Sequence, residues 1–257
     1  MVAFFTRNAT IVSALMKREM VTRFGREGLG FAWLIAEPLV FCFGVMILWS
    51  FTKPAYEHGV RLAPFVMTAY MSLILLRHLI SYMNGAVQAN IGLLYHRQIT
   101  PVHIFTSRIL LEILGGGTAF FIVYGILFAI GEVGLPHDYL LLYTGYVILG
   151  WTGAGFALIL AGISMRYEFF ERFVALISYL LIPISGAFVM VAWLPPQYQD
   201  LYLKVPFTHP IEMIRAGVFG EFVETHYEFG YPLLVGAIMN IGGLLLVASA
   251  RDRIETQ

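Results

Sequence analysis

The stretch KREMVTRFGREGLGFAWLIAEPLVFCFGVMILW, residues 17–49, sets a basic segment directly before an apolar one. Lys17, Arg18, Arg23 and Arg26 crowd its first turns, and from about Gly30 to Trp49 the one charge is Glu37. A helix needs roughly 17–25 apolar residues to cross a bilayer core, so a first span is expected over 30–51. Lys and Arg concentrate on the cytoplasmic side of short loops. The arm, residues 1–29, is therefore expected inside, with the first span running outward.

Composition supports a membrane protein. The 257 residues are 59% hydrophobic and 12% charged, whereas a soluble domain is about one quarter charged. Sixteen basic residues balance sixteen acidic ones, so no overall charge draws the chain to nucleic acid. The lone cysteine, Cys42, excludes an internal disulfide.

Working outward, Val12, Met16, Met20 and Phe24 recur every fourth residue, with Leu15 alongside. That spacing predicts an amphipathic helix over 4–26, lying in the membrane interface or packed on the spans. Trp33 suits an interface anchor. Glu37 lies about two turns inside the apolar run, so it should face protein or water, and Pro38 removes a backbone hydrogen bond. Further spans are expected over 62–81, 109–130, 139–164, 173–193 and 231–250. Arg77, near the inner end of the second span, can reach the headgroups or line a polar path. Gly115, Gly116 and Gly117 allow close helix approach, and the fourth span, rich in glycine and aromatics, reads as tightly packed.

Two regions between spans stand out. Residues 82–107 are polar and expected inside, as a short helix, a turn at Pro101 and the approach to the third span. Residues 197–229 follow a fifth span interrupted by Pro183 and Gly186. Their two short apolar pieces, separated by Pro206 and Pro210, suggest a broken, re-entrant region whose backbone other parts of the protein must cover. The tail, 251–257, is expected inside.

A count tests this sidedness. Interior segments hold Arg7, Lys17, Arg18, Arg23, Arg26, Arg97, Arg108, Arg166, Arg172, Arg251 and Arg253, against Lys53, Arg61, Lys204 and Arg215 outside. The bias fits an even number of spans with both termini cytoplasmic. The expected fold is thus all-α and polytopic: six transmembrane helices, an N-terminal amphipathic helix, and a broken helical region between spans five and six.

Catalytic signatures are missing. The chain has no G-x-x-x-x-G-K-[ST] phosphate loop, no H-E-x-x-H, no C-x-x-C and no G-x-S-x-G. No cofactor, metal or catalytic residue is assigned. The pattern fits transport better than catalysis.

Three stretches carry a resemblance. The first is Arg18-Glu19, Thr22-Arg23-Phe24-Gly25, Leu29 to Trp33 and Glu37-Pro38. The second is Gln88-Ala89-Asn90 with Leu93, Tyr95, Arg97, Pro101, Arg108 and Leu111-Glu112. The third is Pro206-Phe207-Thr208-His209-Pro210 with Glu212 and Arg215, where Val205 stands in place of the Asn common before the first proline. Together they resemble the membrane subunits of ABC-2 class exporters, in particular the capsule-polysaccharide permeases of Gram-negative inner membranes.

The resemblance implies a homodimer with two separate cytoplasmic ATPase subunits, which would bind the ATP and Mg. It implies a lipid-linked polysaccharide substrate, and periplasmic co-polymerase-like and outer-membrane proteins that continue its path. Gln88, Asn90, Tyr95 and Arg97 would couple to the ATPase. Lys17, Arg18, Arg23, Arg26, Trp33 and Glu37 would border the substrate entrance. Pro206, His209, Pro210, Glu212 and Arg215 would belong to the exterior re-entrant region. A hydrated sugar chain also needs faces to slide along, and Tyr70, Tyr82, Tyr179 and Trp193 are candidates, since aromatic rings offer a flat face and, in Tyr and Trp, a hydrogen-bonding edge. Export of O-antigen, a teichoic polymer or another amphiphile is the alternative within transport. An enzyme acting on lipid-linked sugars and a non-transporting anchoring subunit are the alternatives outside it.

Overall fold

A computed structural model describes residues 2–24, 30–54, 56–57, 59–94 and 98–254. The arm forms α1 (Val2–Phe24). The first apolar run forms α2 (Gly30–Thr52), with Pro38 inside it. A two-residue antiparallel ribbon, β1 (Tyr56–Glu57) with β2 (Val60–Arg61), leads into α3 (Leu62–Met83). A 3-10 turn over Gln88–Asn90 and the short α4 (Ile91–Leu94) precede α5 (Pro101–Ala129). Then come α6 (Tyr139–Arg166), α7 (Glu171–Ile184), α8 (Pro196–Leu203), α9 (Thr208–Phe219) and α10 (Gly230–Ile254).

Among the described residues, five helices are long and apolar enough to cross a membrane: those over 32–52, 62–83, 101–129, 139–166 and 230–250. The expected fifth span, 173–193, is not one helix. α7 has 14 residues, about 21 Å at 1.5 Å per residue, short of a hydrocarbon core of about 30 Å. Beyond Ile184 the chain turns at Gly186, whose φ of +81° suits a residue without Cβ. A 3-10 turn over Val191–Trp193 ends the segment. The third span also starts earlier than expected. Pro101 does not mark a separate turn: it opens α5 itself, where its missing N–H costs nothing, and Thr100 and His103 cap the start reciprocally.

α3 and α6 are the central helices: 78% and 72% of their apolar windows are buried, against 22% for α2 and 28% for α10. Lipid tails are as apolar as leucine, so small residues that bring helices together carry the packing. α6 and α10 meet this way. A Cβ on Gly162 would stand 2.6 Å from Leu246 Cβ, and one on Gly243 would stand 2.6 Å from Leu158 Cβ. Tyr146 of α6 fills the space left by Gly116 and Gly117 of α5 and donates to Ile113 O at 3.1 Å. The sequence reading of a tightly packed fourth span is thus seen in atomic contacts.

Contacts between loops define two ends. At one, Arg61 of the ribbon donates to Gly131 O at 2.8 Å, and the Asp138 amide donates to Gly217 O of α9 at 3.0 Å. At the other, α1 lies along the start of α5: His103 Nε2 is 3.1 Å from Asn8 Oδ1, and Asn84 reaches Glu171 O at 3.5 Å. The ribbon, the loop between α5 and α6 and the region after α7 share one end. The arm, the 82–107 region and the turn before α7 share the other.

Candidate functional site

At the arm end a buried polar cluster joins four helices. α1 turns one stripe inward, with Leu15 and Glu19 buried and Ile11 packed against the core. This inward row lies beside the one that periodicity marks, whose Val12, Met16 and Met20 are half-buried, and it carries a carboxylate. Glu19 accepts from Arg23 at 2.7 Å and pairs with Arg108 of α5 at 2.8 Å. Arg23 continues to Glu112 of α5 at 2.5 Å, and its guanidinium sits 3.8 Å from the centre of the Tyr82 ring. Arg108 also donates to Tyr82 O at the end of α3. Glu112, 1% exposed, faces His78 Nδ1 of α3 at 3.3 Å. The other nitrogen of His78 lies 3.9 Å from Glu37 of α2.

Spacing within helices builds half of this network. Glu19 and Arg23 are one turn apart on α1, as are Arg108 and Glu112 on α5, so each helix presents an acid and a base on one face. Packing α1 against α5 then sets the two pairs crosswise. Taking such charges out of water is tolerated only when they are paired. Arg23 Nη2 and Arg108 Nε are nonetheless buried without a hydrogen-bond partner among the described residues. The guanidinium donors outnumber the acceptors around them among the described residues.

The cluster reaches the 82–107 region directly. Arg18 of α1 donates to Asn90 Oδ1 at 2.5 Å, and Asn90 Nδ2 donates to Ala86 O at 2.8 Å. Of the expected coupling residues, Gln88 is exposed and Asn90 is buried. Tyr95 and Arg97 lie outside the described residues, as does Arg26 of the expected entrance. Of the other entrance residues, Lys17 is exposed, Arg18 and Arg23 enter the network, Trp33 is 61% exposed and Glu37 lies at the cluster's edge.

The aromatic candidates do not form one line. Tyr82 packs under Arg23 and Trp193 against Phe65, ring centres 4.9 Å apart. Tyr70 is half-buried and Tyr179 is 58% exposed on α7. Arg77 turns to α7: its guanidinium lies 4.8 Å from the Tyr179 ring centre, with Nε 3.4 Å from Ser178 Oγ. Both groups belong to α7, so Arg77 packs against protein there.

At the opposite end, α9 is buried along its whole length from Thr208 to Val218. Arg215, counted from sequence as an exterior charge, has no exposed side-chain surface. It pairs with Glu212 at 2.9 Å and donates to the carbonyls of Gly186, Ala187 and Val189. The broken segment after α7 therefore finds its missing hydrogen-bond donors in one guanidinium. Burial pushes the Glu212 carboxyl above the usual carboxylate range and the Arg215 guanidinium below its own, while each partner opposes the other's shift. Pro210 is buried with the rest of α9, and Pro206 is half-buried just before it. His209 ties neighbouring segments together: Nε2 lies 2.7 Å from Leu203 O, and the Glu228 amide donates to Nδ1 at 3.0 Å.

Sequence reasoning did not place Glu19, His78, Arg108 or Glu112 in the candidate site. The available signal was an ionisable residue within an apolar run, which Glu112 and His78 both satisfy. Among the described residues, no group of three or more His, Cys, Asp or Glu is arranged to hold a metal ion.

The residues of the arm-end cluster lie within the part of the chain that matches the model of the family described as ABC-2 type transporter, residues 10–219. The chain is 31% identical to the capsule polysaccharide export inner-membrane protein CtrC of Neisseria meningitidis serogroup B, over 96% of this chain and 93% of that protein. It is 32% identical to the similarly described BexB of Haemophilus influenzae, with the same coverage. The polysialic acid transport protein KpsM of Escherichia coli is 22% identical over 95% of each chain. A polytopic helical chain with this match along most of its length belongs to the ABC-2 type transporter family.

Proposed function

We propose that this chain is the membrane permease of an ABC exporter that moves lipid-linked capsular polysaccharide across the bacterial inner membrane. The observation that carries this reading is the near full-length similarity to capsule polysaccharide export inner-membrane proteins. A separate cytoplasmic ATPase supplies the energy and binds the ATP and Mg. Two copies of the chain pair with two ATPase subunits, and periplasmic and outer-membrane export proteins continue the path.

In this reading the arm end is cytoplasmic, as are both termini. The region 82–107 rests on the ATPase. Movement there passes to the arm through Asn90 and Arg18, and to α5 through the same chain segment. The cluster around Glu112 acts as a latch. It holds α1 against α3 and α5 at rest, and its release lets the substrate entrance widen. The region 197–229 is re-entrant and covers the exterior side; His209 satisfies backbone groups within it, and Arg215 those of the segment after α7. α7 with the segment to Trp193 makes the fifth of six crossings.

Deletion of the gene tests the reading. Capsular polymer should then accumulate inside the cell, and the wild-type chain should restore export. Arg97→Ala should fail to restore it while still inserting in the membrane. Export that persists after deletion would end the reading, and cysteine labelling that places Gln88–Leu94 outside the inner membrane would end its sidedness.

A further inference from the structure

A pocket of about 550 Å³ opens between α8, α9 and the start of α10. Ligand pockets typically enclose about 300–1,000 Å³, so it has room for a small molecule or part of a polymer. Its walls are fixed from within. His209 holds Leu203 O with one ring nitrogen and the Glu228 amide with the other, an arrangement that a proton on Nε2 satisfies. Tyr231 donates to Lys204 O at 2.6 Å, and its ring centre is 5.1 Å from that of His209. The His226 amide donates to Glu212 at 3.3 Å, which ties the remaining wall to buried α9.

The mouth is polar and uncommitted. Asp200, Lys204 and Glu228 are exposed there, and among the described residues their side chains make no hydrogen bond or ion pair within the protein. Tyr227 stands half-buried beside them, edge-on to Phe229 at 5.7 Å. His226 is engaged by Glu224 at 3.5 Å through Nε2, yet its Nδ1 is buried with no partner among the described residues.

We propose that this pocket is a saccharide subsite that takes a pyranose carrying no acid group. The proposal rests on the polysaccharide-export reading and adds a position and a selectivity to it. Sugar hydroxyls donate well to carboxylates and accept from an ammonium, and Asp200, Glu228 and Lys204 supply both. The C–H face of a pyranose is apolar and packs on a tyrosine ring. Two carboxylates outweigh one ammonium at the mouth, so an acidic sugar is repelled. By the charge count the pocket lies outside, where an emerging polymer leaves the membrane. It would hold one or two residues of the chain against backward slip.

The test uses the full-length chain with its ATPase in nanodiscs. Saturation-transfer NMR titrations compare a panel of neutral hexose and N-acetylhexosamine trisaccharides with glucuronic acid and N-acetylneuraminic acid. At least one neutral trisaccharide should bind, and Tyr227→Ala should weaken it about tenfold. Tyr227→Phe should hold affinity within a few-fold, which shows that the ring face matters and serves as a control for folding. The Asp200→Asn/Glu228→Gln double variant should admit the acidic sugars. Binding by none of the neutral panel, equal binding by Tyr227→Ala, or wild-type preference for an acidic sugar would each overturn the proposal. Polymer export that survives deletion of the chain would instead overturn the export reading. Export that needs the chain, with no neutral sugar bound, would remove the subsite alone.

Discussion

Glu112 and Arg215 are both ionisable and almost wholly buried, at opposite ends of the protein, but they differ in the origin of their partners. Arg215 pairs with Glu212 three residues away on its own helix and with carbonyls of one neighbouring segment. Glu112 draws on Arg23, 89 residues away, and on His78 of a third helix. The first arrangement ties a broken backbone to a buried helix and has little room to rearrange. The second exists only while α1 and α3 are docked on α5. A charge buried among its own neighbours is a fixed support, whereas a charge buried by docking can release when the docked element moves. That contrast is why the latch is assigned to the arm end and the scaffold to the other.

Arg215→Met should have the largest effect. It leaves Glu212 buried without its cation and the carbonyls of 186–189 without a donor. Breaking one side of a buried pair costs about 3–5 kcal/mol, so little folded protein should be recovered and thermal unfolding in detergent should fall sharply. A variant as stable as wild type would contradict the scaffold assignment. Glu112→Gln should act differently: removing one charge-assisted bond costs about 1.5–3 kcal/mol, with the protein still folded and export altered at least tenfold. Equal losses of folding in the two variants would erase the distinction between the ends.

A double-mutant cycle on Arg23→Met and Glu112→Gln sharpens the comparison further. If the two groups act together, their effects on unfolding should be non-additive by about 0.5–3 kcal/mol, and simple additivity would deny the pairing. Glu37→Leu should show the smallest change in stability, because Glu37 sits at the edge of the cluster, 3.9 Å from His78 with about a third of its side chain exposed. An exposed pair contributes about 0–1 kcal/mol, so impaired export at near-normal stability is expected. Unchanged export with a lipid-exposed label at 37 would remove Glu37 from the site.

Five spans were legible because an apolar run of sufficient length has few other uses in a helical chain. The break after α7 was legible in Pro183 and Gly186, but its repair was not. Arg215 and Glu212 read as exterior charges because nothing local shows that α9 lies under other helices. Gly145 and Gly217, where α6 and α9 touch backbone to backbone, were the nearest hint. Glu37 was legible as a lone carboxylate in an apolar run. The pairing of Arg23 with Glu112 was not, since sequence shows a turn-to-turn partner but not a partner on another helix. His78, next to Arg77 in the second apolar run, links Glu37 to Glu112.

The most direct measurement is ATP-dependent movement of lipid-linked polymer into inverted vesicles that contain this chain and its cognate ATPase. Uptake is expected only when both proteins and hydrolysable ATP are present, and Glu112→Gln should reduce it. Uptake without the ATPase, or chemical turnover of the lipid-linked sugar by this chain alone, would contradict the export reading.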